Sequence, residues 1–175
     1  MTKQILNLFS AAIIAASLTS CGSKKEEAIV APQGMHVLDL SRFGKPFAIF
    51  VPDTTSAKFE IIEQPSGSLD IKVGKTFALS INEQAADIEL RKADIKGDDV
   101  NKFKSFVTEE PSAIFWESEI TQPEYHFLMN QKIGNTDYSF EDIRDPEANA
   151  LGKDAVQKMF DSSKNIKEMK KENHS

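Results

Sequence analysis

The chain has 175 residues, a formal net charge of −6, one cysteine and twelve phenylalanines. An acidic balance with no clustering of Lys, Arg and aromatic side chains excludes a nucleic-acid binder of the stacking or phosphate-tracking kind. A single cysteine excludes an intrachain disulfide framework, so packing, with Phe as its main currency, must hold the fold.

The first segment is not part of that fold. Lys3 gives a small positive start, and Ile5 to Leu18 is apolar but interrupted by Asn7 and Ser10. It is too short for a bilayer-spanning helix and of the length of a signal-peptide core. Leu18-Thr19-Ser20-Cys21 closes it on the lone cysteine. This tetrad resembles the lipobox of bacterial lipoprotein precursors, with Leu, two small residues and Cys in the family's order. The resemblance implies that residues 1–20 are a signal peptide and that Cys21 is the lipid attachment residue. The mature protein would then be held at a membrane by two or three acyl chains, enough for stable anchoring where one chain binds reversibly. An ordinary secretory peptide, cleaved without lipidation, is the competing reading.

Residues 21–34 read as a lipidated, flexible tether, polar and carrying Pro32. Within it Lys24-Lys25-Glu26-Glu27 resembles the export signal of lipoproteins from Bacteroidetes-type bacteria, which directs them to the outer leaflet of the outer membrane. A solvated charged leash is the plainer reading of the same four residues. Gly22 stands where enterobacterial lipoproteins kept at the inner membrane have Asp. The implied location is the outer membrane, at its periplasmic face or at the cell surface.

Residues 35–175 read as one α+β domain. His36–Leu40, Phe47–Val51, Phe59–Ile61, Leu69–Val73 and Phe77–Ile81 are rich in β-formers, most of them with period-two apolar alternation. Pro65-Ser66-Gly67-Ser68 and Gly74-Lys75 supply turns between them. Ile88 and Leu90 predict a sixth short strand. Asp98-Asp99 ahead of Val100, Phe103 and Val107 predict a short helix, acidic at its positive end, which Pro111 stops. Alternation resumes through Ile114, Trp116 and Ile120, then Tyr125, Phe127 and Met129, then Tyr138 and Phe140 after a Gly134-Asn135 turn. A long C-terminal helix follows, with Asp145 as cap, Pro146 at its first position and an apolar stripe of Leu151, Ala155, Met159 and Ile166. Val156 and Phe160 widen that stripe. Lys164, Lys167, Lys170 and Lys171 gather at its C-terminal end, where the helix dipole favours cations.

The prediction is therefore an antiparallel sheet with a short helix and a long C-terminal helix packed on it. This order of elements resembles the PsbP-like fold, an antiparallel sheet sandwiched by helices.

Chemistry is sparse. His126 lies on a strand, on the face of Glu124, with no second histidine at ligand spacing; His36 and His174 lie at the margins. A solvated strand histidine is the favoured reading over a general base or metal ligand. Glu117 and Glu119 share a strand face at a separation glycosidase carboxylates use, but two on one strand read as solvent coating. Asp98-Asp99 and Glu141-Asp142 lack calcium-loop spacing. Trp116, Phe115 and Tyr125 read as core before they read as an aromatic platform. No catalytic residue, metal site or cofactor is assigned. The expected function is a non-enzymatic binding or accessory module whose partner is an envelope protein, a peptide or a glycan, with a small envelope hydrolase as the alternative.

Overall fold

The computed structural model describes residues 29–144 and 150–169. Its strands are β1 (Met35–Asp39), β2 (Phe47–Pro52), β3 (Phe59–Glu63), β4 (Leu69–Val73), β5 (Phe77–Asn82), β6 (Lys102–Glu110), β7 (Ala113–Glu119), β8 (Pro123–Ile133), β9 (Thr136–Asp142) and β10 (Lys167–Glu168). Helix α1 (Ile88–Gly97) lies between β5 and β6, and α2 (Lys153–Lys164) between β9 and β10. Seven strands form one sheet in the order β3-β4-β5-β9-β8-β7-β6, and β1-β2-β10 form a second, smaller one. Every pairing is antiparallel. The α+β class and the antiparallel pairing expected from the sequence are therefore present.

Two cores lie on the two faces of the large sheet. On β7 the side chains alternate, so Ala113 and Phe115 join one core while Ile114 and Trp116 join the other. The larger core is closed by Phe47, Ile49 and Val51 of β2 and by Val156, Met159 and Phe160 of α2. Phe160 stacks on Phe115 at 5.7 Å between ring centroids and meets Phe127 edge-on at 5.9 Å. The smaller core is closed by α1, whose Ile88 packs with Ile114, Trp116 and Leu128. Both faces of the large sheet are thus covered, which is why Ala113–Trp116 of β7 and Phe127–Met129 of β8 are uninterrupted apolar runs.

Turns fall where expected. Gly134 takes a positive φ of 59° and joins β8 to β9 in two residues, a hairpin geometry that glycine adopts without strain. Gly74 also takes a positive φ, 58°, in the three-residue turn between β4 and β5.

Three expectations need correction. The sixth strand and the short helix exchange places. Residues 88–97 are helical because the Asp87 side chain accepts the Leu90 N–H at 2.9 Å and caps the first turn. Leu90 is largely exposed, while Ile88 and Ile95, two turns apart, face the sheet. The segment with Phe103 and Val107 is instead strand β6. Its pairing with β7 slips between Phe103 and Ser105 and again between Phe106 and Thr108. The first slip skips Lys104, so Phe103 and Phe106, three apart, reach the same face and their rings lie 4.8 Å apart. A bulge thus gives a strand the spacing of a helix. Asp98, expected to open a helix, closes one, and its carboxylate accepts the N–H groups of Val100 and Asn101.

The C-terminal helix is shorter than expected. Gly152 is its N-cap and Asn165 its C-cap; Ile166 lies beyond its end and Lys167 belongs to β10. Asn165 ends the helix by donating its own backbone N–H and side-chain amide to the Asp161 carbonyl. The Asp145 cap, Pro146, Lys170 and Lys171 lie outside the described residues, as do the Cys21 lipidation site, Lys24-Lys25-Glu26-Glu27 and His174. Among the described residues no helix is long and apolar enough to cross a membrane.

Candidate functional site: a notch beside His126

The β8–β9 ladder begins at Ile133–Thr136 and stops at Leu128–Glu141. Beyond that point β9 stays with β5, through Asp142–Leu79, while the first half of β8 stays with β7 as far as Pro123–Glu119. The sheet opens between them. Asp142 fills the opening with its side chain. One carboxylate oxygen accepts the Phe127 backbone N–H at 2.7 Å, taking the role of a ladder carbonyl, and the other lies 2.8 Å from His126 Nδ1. A carboxylate only accepts hydrogen bonds, so this contact places the ring proton on Nδ1.

With Nδ1 donating to Asp142, Nε2 accepts in the neutral ring and donates in the imidazolium. It is buried and has no hydrogen-bond partner among the described residues; the Glu124 carboxylate stands 3.6 Å away, too far for one. Glu124 in turn meets the Arg144 guanidinium at 3.4 Å. The His126 side chain is 13 % exposed, Glu124 11 % and Asp142 5 %. The reading of His126 as a solvated strand histidine is thereby corrected. It does lie on the face of Glu124, but α1, the turn after it and Asp142 wall that face from bulk water. Trp116, directly opposite on β7, sets its indole against the imidazole at 5.4 Å between centroids.

From α1, Arg91 reaches across to Glu141 at 3.2 Å. The turn after α1 brings Asp98 and Asn101. The two backbone N–H bonds to Asp98, with Asn101 first and Val100 second, hold its carboxyl below the usual carboxylate range. Among the described residues Asn101 Oδ1 is buried without a partner, as is Ser118 Oγ, whose residue pairs with Glu124 across the ladder. Together these elements enclose a cavity of about 250 Å³ whose wall includes Arg91, Asp98, Asn101, Trp116, His126 and Asp142. That is just below the roughly 300–1,000 Å³ of sites for drug-sized ligands. Among the described residues no group of three His, Cys, Asp or Glu side chains is arranged to hold a metal ion.

Other candidates do not converge here. Glu119 pairs with Lys104 at 2.9 Å. Glu117 lies on the Phe115 face, beside Tyr125, whose hydroxyl is pushed up in pKa by burial first and by the charge of Glu117 second. Phe115 and Tyr125 meet edge-on in the larger core while Trp116 lies on the opposite face, so the three form no common platform. His36 sits 3.5 Å from Asp53 at the surface. Arg91, Asp98, Glu141, Asp142 and Arg144 carry no local signature in the sequence. One signal was available: a two-residue turn at Gly134-Asn135 sets the hairpin register, and counting back from it puts Asp142 opposite Phe127, next to His126.

No protein-family model matches the chain, and no characterised protein or solved structure is found to be similar to it. The fold and the notch therefore define it only as an α+β protein with a charged, half-enclosed cavity at a split in its sheet.

Proposed function

We propose that this chain is a lipid-anchored protein of the bacterial outer membrane whose folded domain binds a partner at the notch beside His126 without transforming it. The anchor rests on the Leu18-Thr19-Ser20-Cys21 match and on Cys21 being the one cysteine. The binding reading rests on one observation. His126 is held in a fixed orientation by Asp142, yet among the described residues its Nε2 has no hydroxyl or thiol partner to deprotonate. A nucleophile and its base must lie within hydrogen-bond reach of each other, so the notch holds an oriented acceptor and lacks the group it would activate.

The hydrolase alternative keeps one supporting observation, the carboxylate that orients the imidazole, which is half of a nucleophile-activating arrangement. Replacing His126 with Gln separates the two readings, because an amide accepts a hydrogen bond and does not relay a proton. Under the binding reading His126→Gln complements a deletion strain to the extent that it still binds the partner. Loss of complementation in a folded, anchored protein that binds as the wild type does favours catalysis.

For the anchor, wild-type protein takes up a clickable fatty acid and Cys21→Ala does not; unlabelled wild type removes the anchor from the proposal. Display at the cell surface is the finer reading, supported by Lys24-Lys25-Glu26-Glu27. Added protease then digests the domain on intact cells, and Ala in place of Lys25-Glu26-Glu27 protects it. Helices on both faces of an antiparallel sheet also support the PsbP-like sandwich reading, from which the small second sheet is a departure.

A further inference from the structure

We infer that the notch beside His126 receives a primary ammonium or guanidinium group, carried by a small molecule or by one basic side chain of a peptide. This rests on the binding reading above and adds the chemistry of what is bound.

The first argument is what the wall lacks. His126 Nε2, an acceptor while the ring is neutral, and Asn101 Oδ1 are both buried without partners among the described residues, and both residues line the same cavity. Buried polar groups in folded proteins are satisfied with few exceptions, and a pair of exceptions at one cavity marks a place where an incoming group supplies the donors. Ammonium and guanidinium are pure donors with several N–H bonds each.

The second argument is the balance of charge. Arg91 and Arg144 each face a carboxylate already, Glu141 at 3.2 Å and Glu124 at 3.4 Å. Asp142 is met by the His126 ring and the Phe127 N–H, and Asp98 by two backbone N–H groups. After the two ion pairs cancel, two carboxylates remain. In a half-enclosed cavity with low-dielectric walls such a surplus concentrates a negative potential and draws cations. An incoming anion would have to take a guanidinium away from its carboxylate.

The third is shape. Trp116 contributes an indole wall, and an aromatic face attracts a cation through its quadrupole. The volume admits a head group and short stem, about one Lys or Arg side chain, rather than a folded surface.

The test is calorimetric titration of the whole mature lipoprotein in detergent with butylamine, agmatine and glutarate, together with an uncharged-ended peptide containing one Lys. Expected is binding of both amines at least tenfold tighter than glutarate, weakened about tenfold by Asp98→Asn and by Trp116→Leu. Tighter binding of the peptide than of butylamine assigns the ligand to a protein or peptide partner, and the reverse assigns it to a free amine. Equal or tighter binding of glutarate overturns the cation assignment and leaves the binding reading standing. Titrations silent for all four probes overturn the inference. Failure of the binding reading shows separately, in the His126→Gln complementation.

Discussion

Ser162 of α2 bridges both backbone groups of Phe50 in β2: its hydroxyl accepts the Phe50 N–H at 3.1 Å and donates to the Phe50 carbonyl. β10 covers this side of β2 only at Phe47 and Ala48, so the hydroxyl stands in for the next residue of a strand that is too short. Ser162→Ala leaves a buried N–H and a buried C=O without partners and should cost roughly 1–3 kcal/mol. Chemical denaturation measures it: a lower midpoint with an unchanged slope is the expected result.

Phe160 ties the same helix to the centre of the large sheet. It is 3 % exposed and contacts the rings of Phe115 and Phe127. Phe160→Ala should destabilise by about 3–5 kcal/mol through lost burial and the cavity left behind. Phe160→Asp puts an unpaired charge in that place and should abolish the cooperative melt in circular dichroism.

Asp142 serves the sheet and the notch together. Asp142→Ala frees the Phe127 N–H and the His126 ring, with an expected loss of ~1.5–3 kcal/mol for hydrogen bonds to a charged acceptor. Imidazole ¹⁵N spectra supply a second readout. The wild type shows one dominant tautomer with the proton on Nδ1, and the variant shows a mixture. A mixed tautomer in the wild type would remove the basis for treating Nε2 as an acceptor.

Asp98 predicts a pH dependence. Its folded pKa is depressed, so the unfolded chain binds its proton first as the pH falls. Its contribution is therefore complete above the unfolded value near 3.9 and is lost as pH drops through the lower folded value. Asp98→Asn resembles the protonated state. Melting temperatures of the two proteins should differ at pH 6 and converge as the pH falls below the depressed folded value. Asp39 and Asp53, lowered by hydrogen bonds from Ser41 and Thr55, give the same sign, so the variant retains part of the acid sensitivity.

The strands that alternate cleanly were legible in the sequence. Leu69, Ile71 and Val73 or Phe77, Leu79 and Ile81 are buried on one side only, and period two follows from that. Residues 88–110 were not, because there the local pattern misleads. Ile88 and Leu90 imitate strand alternation although Leu90 faces water, and Val100 and Val107, spaced with Phe103 as one helix face, are exposed. The Asp87 cap was the available corrective. For the notch, the sequence showed His126 and its face, but its burial depends on Arg91, Asp98 and Asp142, contributed by three separate stretches. Only the tertiary arrangement brings these together.

The double slip in β6 also bears on how many copies of this chain can lie side by side. β6 is nine residues long and forms one border of the large sheet, a length at which a second chain could add itself as a further strand. Two bulges break the even row of outward N–H and C=O groups, and Lys102 and Lys104 set charges along it. A template interrupted twice in nine residues offers no long uniform register for an incoming strand. If Cys21 holds many copies in one membrane plane, where collisions are frequent, this irregular border offers neighbours a poor edge on which to pair.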